Sequence, residues 1–398
     1  MISVDEARAK ILGMLTAPTA ETVALAAGLG RVLAKPVRAR LTQPPADVSA
    51  MDGFSVRAAD GVVGAKLTVI GAAPAGHPFA REVGPGQAVR LFTGSVIPAG
   101  ADSVLIQEDA VLADGVITVG EACQPGRHIR RKGQDFAAGD ELIPAGRRLT
   151  ARDIGLAAAG NHPWLDVYAK PRIALLATGD EISLPGEPIG PGGMVSSNAH
   201  ALAAFVTACG GEPIVLPIAM DDLEALAVSI KAARGADMLV TTGGASVGAH
   251  DLVQEALAAA GMTLEFWKIA MRPGKPLMAG MLGAMPVLGL PGNPVSAFVC
   301  AWLFLAPAIE RLAGMTVAAR VPEPARLGAA LRPNDQREDY VRATLARDAQ
   351  GWVVTPFPVQ DSGMLRALAR ADALIRRAPF DPARQAGEVV DMFRLGDL

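Results

Sequence analysis

Cysteine is scarce in this chain: Cys123, Cys209 and Cys300 are the only three in 398 residues. They lie far apart, with no Cys-x-x-Cys pair, and none of the five histidines stands at metal-finger spacing. That excludes a disulfide framework and a zinc finger, and a reduced, cytoplasmic setting is expected. Aromatic residues make up 4%, too few for a platform that stacks single-stranded bases. No excess of one charge stands out either: the formal net charge is −3, which argues against a broad nucleic-acid footprint. The opening MISVDEARAK carries acidic residues where a signal peptide needs a basic and then an apolar run. A long hydrophobic span is also missing. Residues 276–309 hold no charge, but Pro286, Pro291, Pro294 and Pro307 divide them. Each piece falls short of the roughly 20 residues that cross a bilayer, so two buried strands and a buried helix are expected there. Neither nucleic acid nor membrane is an expected partner.

What the chain does have is apolar mass, 51% of its residues against 19% charged, as in a globular protein of several domains. The middle third alternates strand and helix. Strands are predicted over 172–178, 212–220, 236–241, 264–270, 277–281 and 287–290. Helices are predicted over 198–209, with Asn198 as N-cap, and over 222–233, 252–260 and 294–312. Such alternation predicts right-handed βαβ units in a doubly wound, mostly parallel sheet. Residues 2–33 read as helical, with Ile2, Val4, Ala7, Ile11 and Leu12 on one face. From Pro44 to Pro144 short apolar runs alternate with Gly and Pro turns, as in a small β-barrel or sandwich. Beyond Pro322 short strands return, 340–345 and 352–356 among them, with a basic helix-like turn at 364–377. The predicted division is 1–43, 44–145, 146–170, 171–320 and 321–398. The fold class is therefore multidomain α/β, with β-rich domains on both sides of a central α/β domain.

Chemistry collects at the predicted strand ends. One strand runs into Thr178-Gly-Asp-Glu181, another into Asp221-Asp222, and a third into TTGGASVGAHD at 241–251. A parallel sheet brings such ends to one edge, where glycine lets a ligand approach the backbone. The 241–251 loop lacks both the Walker and the dinucleotide pattern. Its residues alone fit an anion or sugar-phosphate loop, or a sharp turn with Asp251 as a helix cap. Converging carboxylates would call for a divalent cation or cationic ligands, whereas Asp222 reads as a helix cap. Asn293-Pro294 suits the start of a helix whose open amides could meet an anion, with Ser296 in the first turn. Lys268, Arg272 and Lys275 sit on a strand and a Pro-Gly turn, as an oxyanion site or as a solvated surface run.

Taken together, TGDE, TTGGASVGAHD, RPGKP at 272–276 and LPGNPVSA at 290–297 resemble the molybdopterin-binding domain of molybdenum-cofactor assembly proteins. PPADVSAMDGFSV at 44–56 and LFTGSVIPAGADSVLIQED at 91–109 narrow the resemblance to the MoeA family, the molybdopterin molybdenumtransferases. It runs nearly end to end, and relatives include the gephyrin E domain. The resemblance implies an enzyme that cleaves AMP from adenylylated molybdopterin with Mg2+ and inserts molybdate at the dithiolene. It also implies a homodimer whose clefts are shared between chains, in contact with the upstream adenylyltransferase and downstream molybdoenzymes. Carried over by residue, Asp52, Thr93 and Asp135 are polar groups on the β-rich side of the cleft. Glu181, Asp221 and Asp251 are the acidic groups and the Mg2+ ligands, and Lys268 and Lys275 complete the catalytic set. Gly243, Gly244, Ser246, Gly248 and Asn293 belong to substrate-binding loops, and Arg272, Lys275, Ser296, Arg342 and Ser362 to a molybdate pocket. Departures are mild: Arg272 stands where some relatives carry Lys, and Ser197-Asn198 replaces an Asp-Asn pair. The rival readings are a molybdopterin adenylyltransferase-like enzyme and a non-catalytic molybdopterin-binding scaffold. The first is typically little more than the middle domain, and the second need not keep the charged set.

Overall fold

A computed structural model describes residues 1–243 and 252–396. At the centre lies a six-stranded sheet in the order Glu212–Val215, Arg172–Ala177, Met238–Thr242, Met285–Leu290, Met278–Leu282, Met262–Trp267. The first four strands pair in parallel and the last two antiparallel. Helices cover both faces. On one side Leu202, Phe205, Val295 and Val299 pack against Ile173, Val240 and Leu288; on the other, Leu226, Ile230 and Leu257 pack against Ala174 and Leu239. The two faces explain why these strands read as near-continuous apolar runs.

Helix Pro294–Leu312 is one element of 19 residues, despite Pro307. Its turn widens to π-helix over Ala301–Leu305, just before that proline. A wider turn accommodates a residue that can neither donate a hydrogen bond nor fit tightly beneath the carbonyl four residues back. By length and composition this helix could cross a membrane, but 83% of its apolar window is buried, as in a core helix.

Residues 2–33 are not one helical region. Helix Val4–Gly13 buries Val4, Ala7 and Ile11 in the central core, and Lys10 pairs with Glu265 at 2.6 Å. After Pro18 the chain extends, and Ala20–Ala24 pairs antiparallel with Trp164–Tyr168. The distant partner strand overrides local helix preference, and β-branched Thr22 and Val23 suit the pairing. Helix Ala151–Ala159, with a Thr150–Asp153 capping box, packs in the same small unit around Leu33, Ile143 and Leu165.

The β-rich domain is a six-stranded sheet running from Ser103–Ile106 to Ala110–Ala113, with Phe54, Leu67 and Ile117 inside. In the C-terminal domain five strands close on themselves, because Glu338–Asp348 pairs with both Gly351–Pro356 and Ala373–Arg377. Residues 364–377 are accordingly not a helical stretch. Only Leu365–Leu368 is helical, and Ala373, Leu374 and Ile375 are buried in a strand held on both sides. Met271–Arg272 leaves the central domain to pair in parallel with Glu338 and Asp339 of this barrel.

Candidate functional site

The parallel strands end on a cleft of about 730 Å³. Its first wall follows Arg172–Ala177. Gly179 has φ +141, and a Cβ there would lie 2.6 Å from Oε2 of Glu181, so glycine lets that carboxylate fold back over the turn. Glu181 and Asp221 both line the cleft. The Asp221 amide donates to Oδ1 of Asp180 at 3.0 Å. Burial, then Asp180, then Glu181, push the Asp221 carboxyl above its ordinary range. Asp180 was not singled out from the sequence; its place inside TGDE, one residue from Glu181, was the available signal. Asp222 caps helix Leu223–Ala232, accepting from the amides of Glu224 and Ala225.

Strand Met238–Thr242 ends at Gly243, with φ +99 and no room for a side chain: a Cβ would sit 2.5 Å from the Thr178 carbonyl oxygen. Gly244, Ser246, Gly248 and Asp251 lie outside the described residues. At the next strand end, Asn293 occupies the N-cap position of the long helix, but its side chain makes no capping bond. Ser296 in the following turn is 5% exposed and lines the cleft, as does half-buried Lys275.

Asn198 is not a helix cap. Ser197 holds the cap position, and the Asn198 amide nitrogen reaches across to Thr242 Oγ1 at 2.9 Å and the Gly292 carbonyl at 2.7 Å. Two acceptors brought close by tertiary packing take it from the local cap.

The basic residues divide. Lys268, at φ +71, places its ammonium 3.6 Å from the centroid of the Trp267 ring. Arg272 donates to Asp339, to Asn334 at 3.2 Å and to Asp335 at 3.3 Å, so its charge is met by the C-terminal barrel. Hydrogen bonding to Asp339 raises its pKa. Arg342 is 2% exposed and donates to the Asp361 carbonyl at 3.0 Å, while its Nε has no partner. Burial lowers its pKa. The next residue but one after Asp361, Gly363, lines the cleft, and the carbonyl of Ser362 accepts from the Val295 amide at 3.0 Å.

Asp52, Thr93 and Asp135 stand apart on the β-rich domain, which contributes no residue to this cleft. Oδ1 of Asp52 accepts from the amide and hydroxyl of Thr93 at 2.7 and 2.8 Å, which holds its carboxyl below the ordinary range. Asp135 is exposed. Among the described residues no three Asp, Glu, His or Cys side chains are placed to hold a metal together. A larger cavity, about 850 Å³, opens between Trp302, Arg320 and Phe393. It lies away from the strand ends, and the smaller cleft, where acids, Lys275 and glycine turns converge, is the candidate site.

Comparison with known proteins agrees along the whole chain. Residues 2–160 match the MoeA N-terminal region (domains I and II), 174–311 a probable molybdopterin binding domain, and 324–395 the MoeA C-terminal region (domain IV). The chain is 38% identical over 338 residues to a molybdopterin molybdenumtransferase of Nostoc sp., covering 82% of this chain and 77% of that one. To molybdopterin molybdenumtransferase 2 of Mycobacterium tuberculosis it is 35% identical over 387 residues, covering 94% and 95%. The crystal structure of a molybdopterin biosynthesis MoeA protein from Pyrococcus horikoshii superposes with a TM-score of 0.87 at 29% identity, covering 100% of both chains.

Proposed function

The chain belongs to the MoeA family of molybdopterin molybdenumtransferases, and on that footing we propose that it inserts molybdate into adenylylated molybdopterin with Mg2+-dependent release of AMP. The observation that carries this reading is the meeting of Glu181 and Asp221 with Lys275 and Ser296 in one cleft at the strand ends.

Glu181 and Asp221 fit Mg2+. Two carboxylates, completed by water and phosphate oxygens, are a donor set that this ion takes. Burial first, and then crowding with Asp180 and Glu181, raises the Asp221 pKa, and a divalent cation would relieve the crowding. When bound, Mg2+ offsets charge on the phosphates as the phosphoanhydride breaks. Asp251 is assigned the third acidic position. The phosphates would approach the backbone at Gly243 and Asn293, and Gly244, Ser246 and Gly248 are assigned to the same substrate-binding role. One water is consumed as AMP leaves, and one is released when the two Mo–S bonds form, the two thiol protons departing with one molybdate oxygen.

Molybdate is a tetrahedral dianion, held in this reading by Lys275, Ser296, Arg342 and Ser362. Arg342 suits the task because its buried Nε lacks a partner. Lys268 lies on the same basic strand and turn. Arg272, placed in the molybdate pocket by resemblance, gives its donors to Asp339, Asn334 and Asp335, so its contribution in this reading is the contact between the two domains. Asp52, Thr93 and Asp135 would come from a second copy, so we propose a homodimer with shared clefts. Three unpaired cysteines accord with the cytoplasm. The upstream adenylyltransferase and downstream molybdoenzymes are the expected partners, without nucleic acid or membrane.

The test incubates the protein with adenylylated molybdopterin, Mg2+ and molybdate and follows AMP. Molybdate-dependent AMP release is expected; none, from folded protein, overturns the reading.

A further inference from the structure

Asparagine at the start of a helix ordinarily caps it, yet Asn198 does not. Both hydrogens of its Nδ2 go to loops far along the chain: to Thr242 Oγ1 at 2.9 Å, where strand Met238–Thr242 ends, and to the Gly292 carbonyl at 2.7 Å, beyond strand Met285–Leu290. Thr242 Oγ1 in turn donates to the Pro291 carbonyl at 3.4 Å, which closes a triangle. The two loops touch inside it, since a Cβ on Gly292 would lie 3.5 Å from the Gly243 Cα. One loop begins the segment that starts at Gly243, the other the Pro291–Pro294 turn, and both line the cleft.

We propose that Asn198 is a positioning residue for the transferase reaction: through its amide nitrogen it fixes the separation of the Thr242–Gly243 strand end and the Pro291–Pro294 turn, and so the shape of the substrate-binding wall. A primary amide is the group that can do this. Its single nitrogen gives two donors in a fixed plane to two acceptors. A carboxylate has none to give and would meet the Gly292 carbonyl with like charge. Aspartate at 198 would also add a negative charge to a cleft that already holds Glu181 and Asp221. Displacing a binding loop by about 1 Å is enough to cost up to a hundredfold in rate.

The activity arm rests on the insertase reading, so it is paired with a measurement that does not. In the full-length protein, Asn198→Ala is expected to keep its melting temperature within a few degrees. Amide hydrogen exchange should quicken in peptides covering 238–243 and 287–293, and stay as it was in the barrel strand Glu338–Asp348. In the AMP assay kcat should fall about tenfold or more, with the KM for molybdate unmoved. Asn198→Asp should be worse than Asn198→Ala. Thr242→Val should lose less than Asn198→Ala, and the double variant should be no slower than Asn198→Ala alone, because both changes open the same triangle. Unchanged exchange in both loops, or wild-type kcat in folded Asn198→Ala, overturns the proposal. A wild-type protein that releases no AMP would instead refute the insertase reading, and the exchange measurement would still decide the role of Asn198.

Discussion

Arg272 of the central domain donates from Nη2 to the carboxylate of Asp339 in the C-terminal barrel. Asp339 is 8% exposed, and strand pairing of Met271–Arg272 with Glu338–Asp339 brings the two together. Removing one partner of such a pair leaves a buried charge unmet. Arg272→Ala is therefore expected to destabilise the protein by about 2 kcal/mol, read from urea unfolding. Arg272→Lys should recover only part, since an ammonium cannot span Asp339, Asn334 and Asp335 as the planar fork does. On an Asp339→Asn background the cost of Arg272→Ala should shrink. Equal cost on both backgrounds would show that the pair does not join the domains.

Asp335 belongs to the same contact. The side-chain hydrogen bond from Arg337 chiefly, with the Arg337 amide and the charges of Arg337 and Arg272, brings its carboxyl down to about 2. A folded-state pKa below the unfolded value of 3.8 stabilises the protein above that value, and the gain is lost as pH falls towards 2. Because the side chain is 41% exposed, solvent screening limits the gain to about 1 kcal/mol. Asp335→Asn should flatten the stability profile between roughly pH 4 and 2. A variant whose acid profile overlays wild type would remove Asp335 from the acid response.

The central domain was legible because each strand is an apolar run ended by a turn, and Asp222 and the Pro294 start mark helices by local chemistry. What sequence alone could not supply was long-range pairing. Ala20–Ala24 read as helix because its partner strand lies more than a hundred residues away. Ala373–Arg377 was hidden in a helix-like pattern because its partner strands, Glu338–Asp348 and Val389–Arg394, lie outside the local stretch of sequence. Within the site, Glu181 and Asp221 were readable as charges at strand ends, and Lys275 as a charge on a Pro-Gly turn. The ties of Asn198 and Arg272 were not, since their acceptors belong to segments that only the fold brings near. Arg342 and Ser362 came from family resemblance alone; no local pattern marks an arginine buried in the C-terminal barrel as part of a site built at the central domain's strand ends.

Gly243 offers a contrast with its neighbour in space, Gly292. A methyl group at 243 would meet the Thr178 carbonyl at 2.5 Å on a backbone at φ +99, whereas one at 292 meets the Gly243 Cα and N at 3.5 and 3.9 Å, ordinary contact distances. Gly243→Ala should cost about 2 kcal/mol or more and remove most AMP-releasing activity. Gly292→Ala should cost under about 1 kcal/mol, both measured by thermal melting. Similar melting shifts for the two would mean that the turn after strand Met238–Thr242 relaxes freely.

Asp52 and Glu181 lie on different domains, and the cleft that Glu181 lines includes nothing from the β-rich domain of its own chain. If a second copy completes the cleft, Asp52→Ala and Glu181→Ala should each abolish AMP release alone and complement each other when mixed. In an exchanged heterodimer one cleft receives both substitutions and the other neither. Equal mixing makes about half the dimers heterodimers, each with one intact cleft, so about a quarter of wild-type activity should return. Return of activity should track subunit exchange, followed by native mass spectrometry of differently labelled chains. Exchange without any recovery would place Asp52 and Glu181 in one cleft of one chain. A monomer by sedimentation would end the shared-cleft proposal outright.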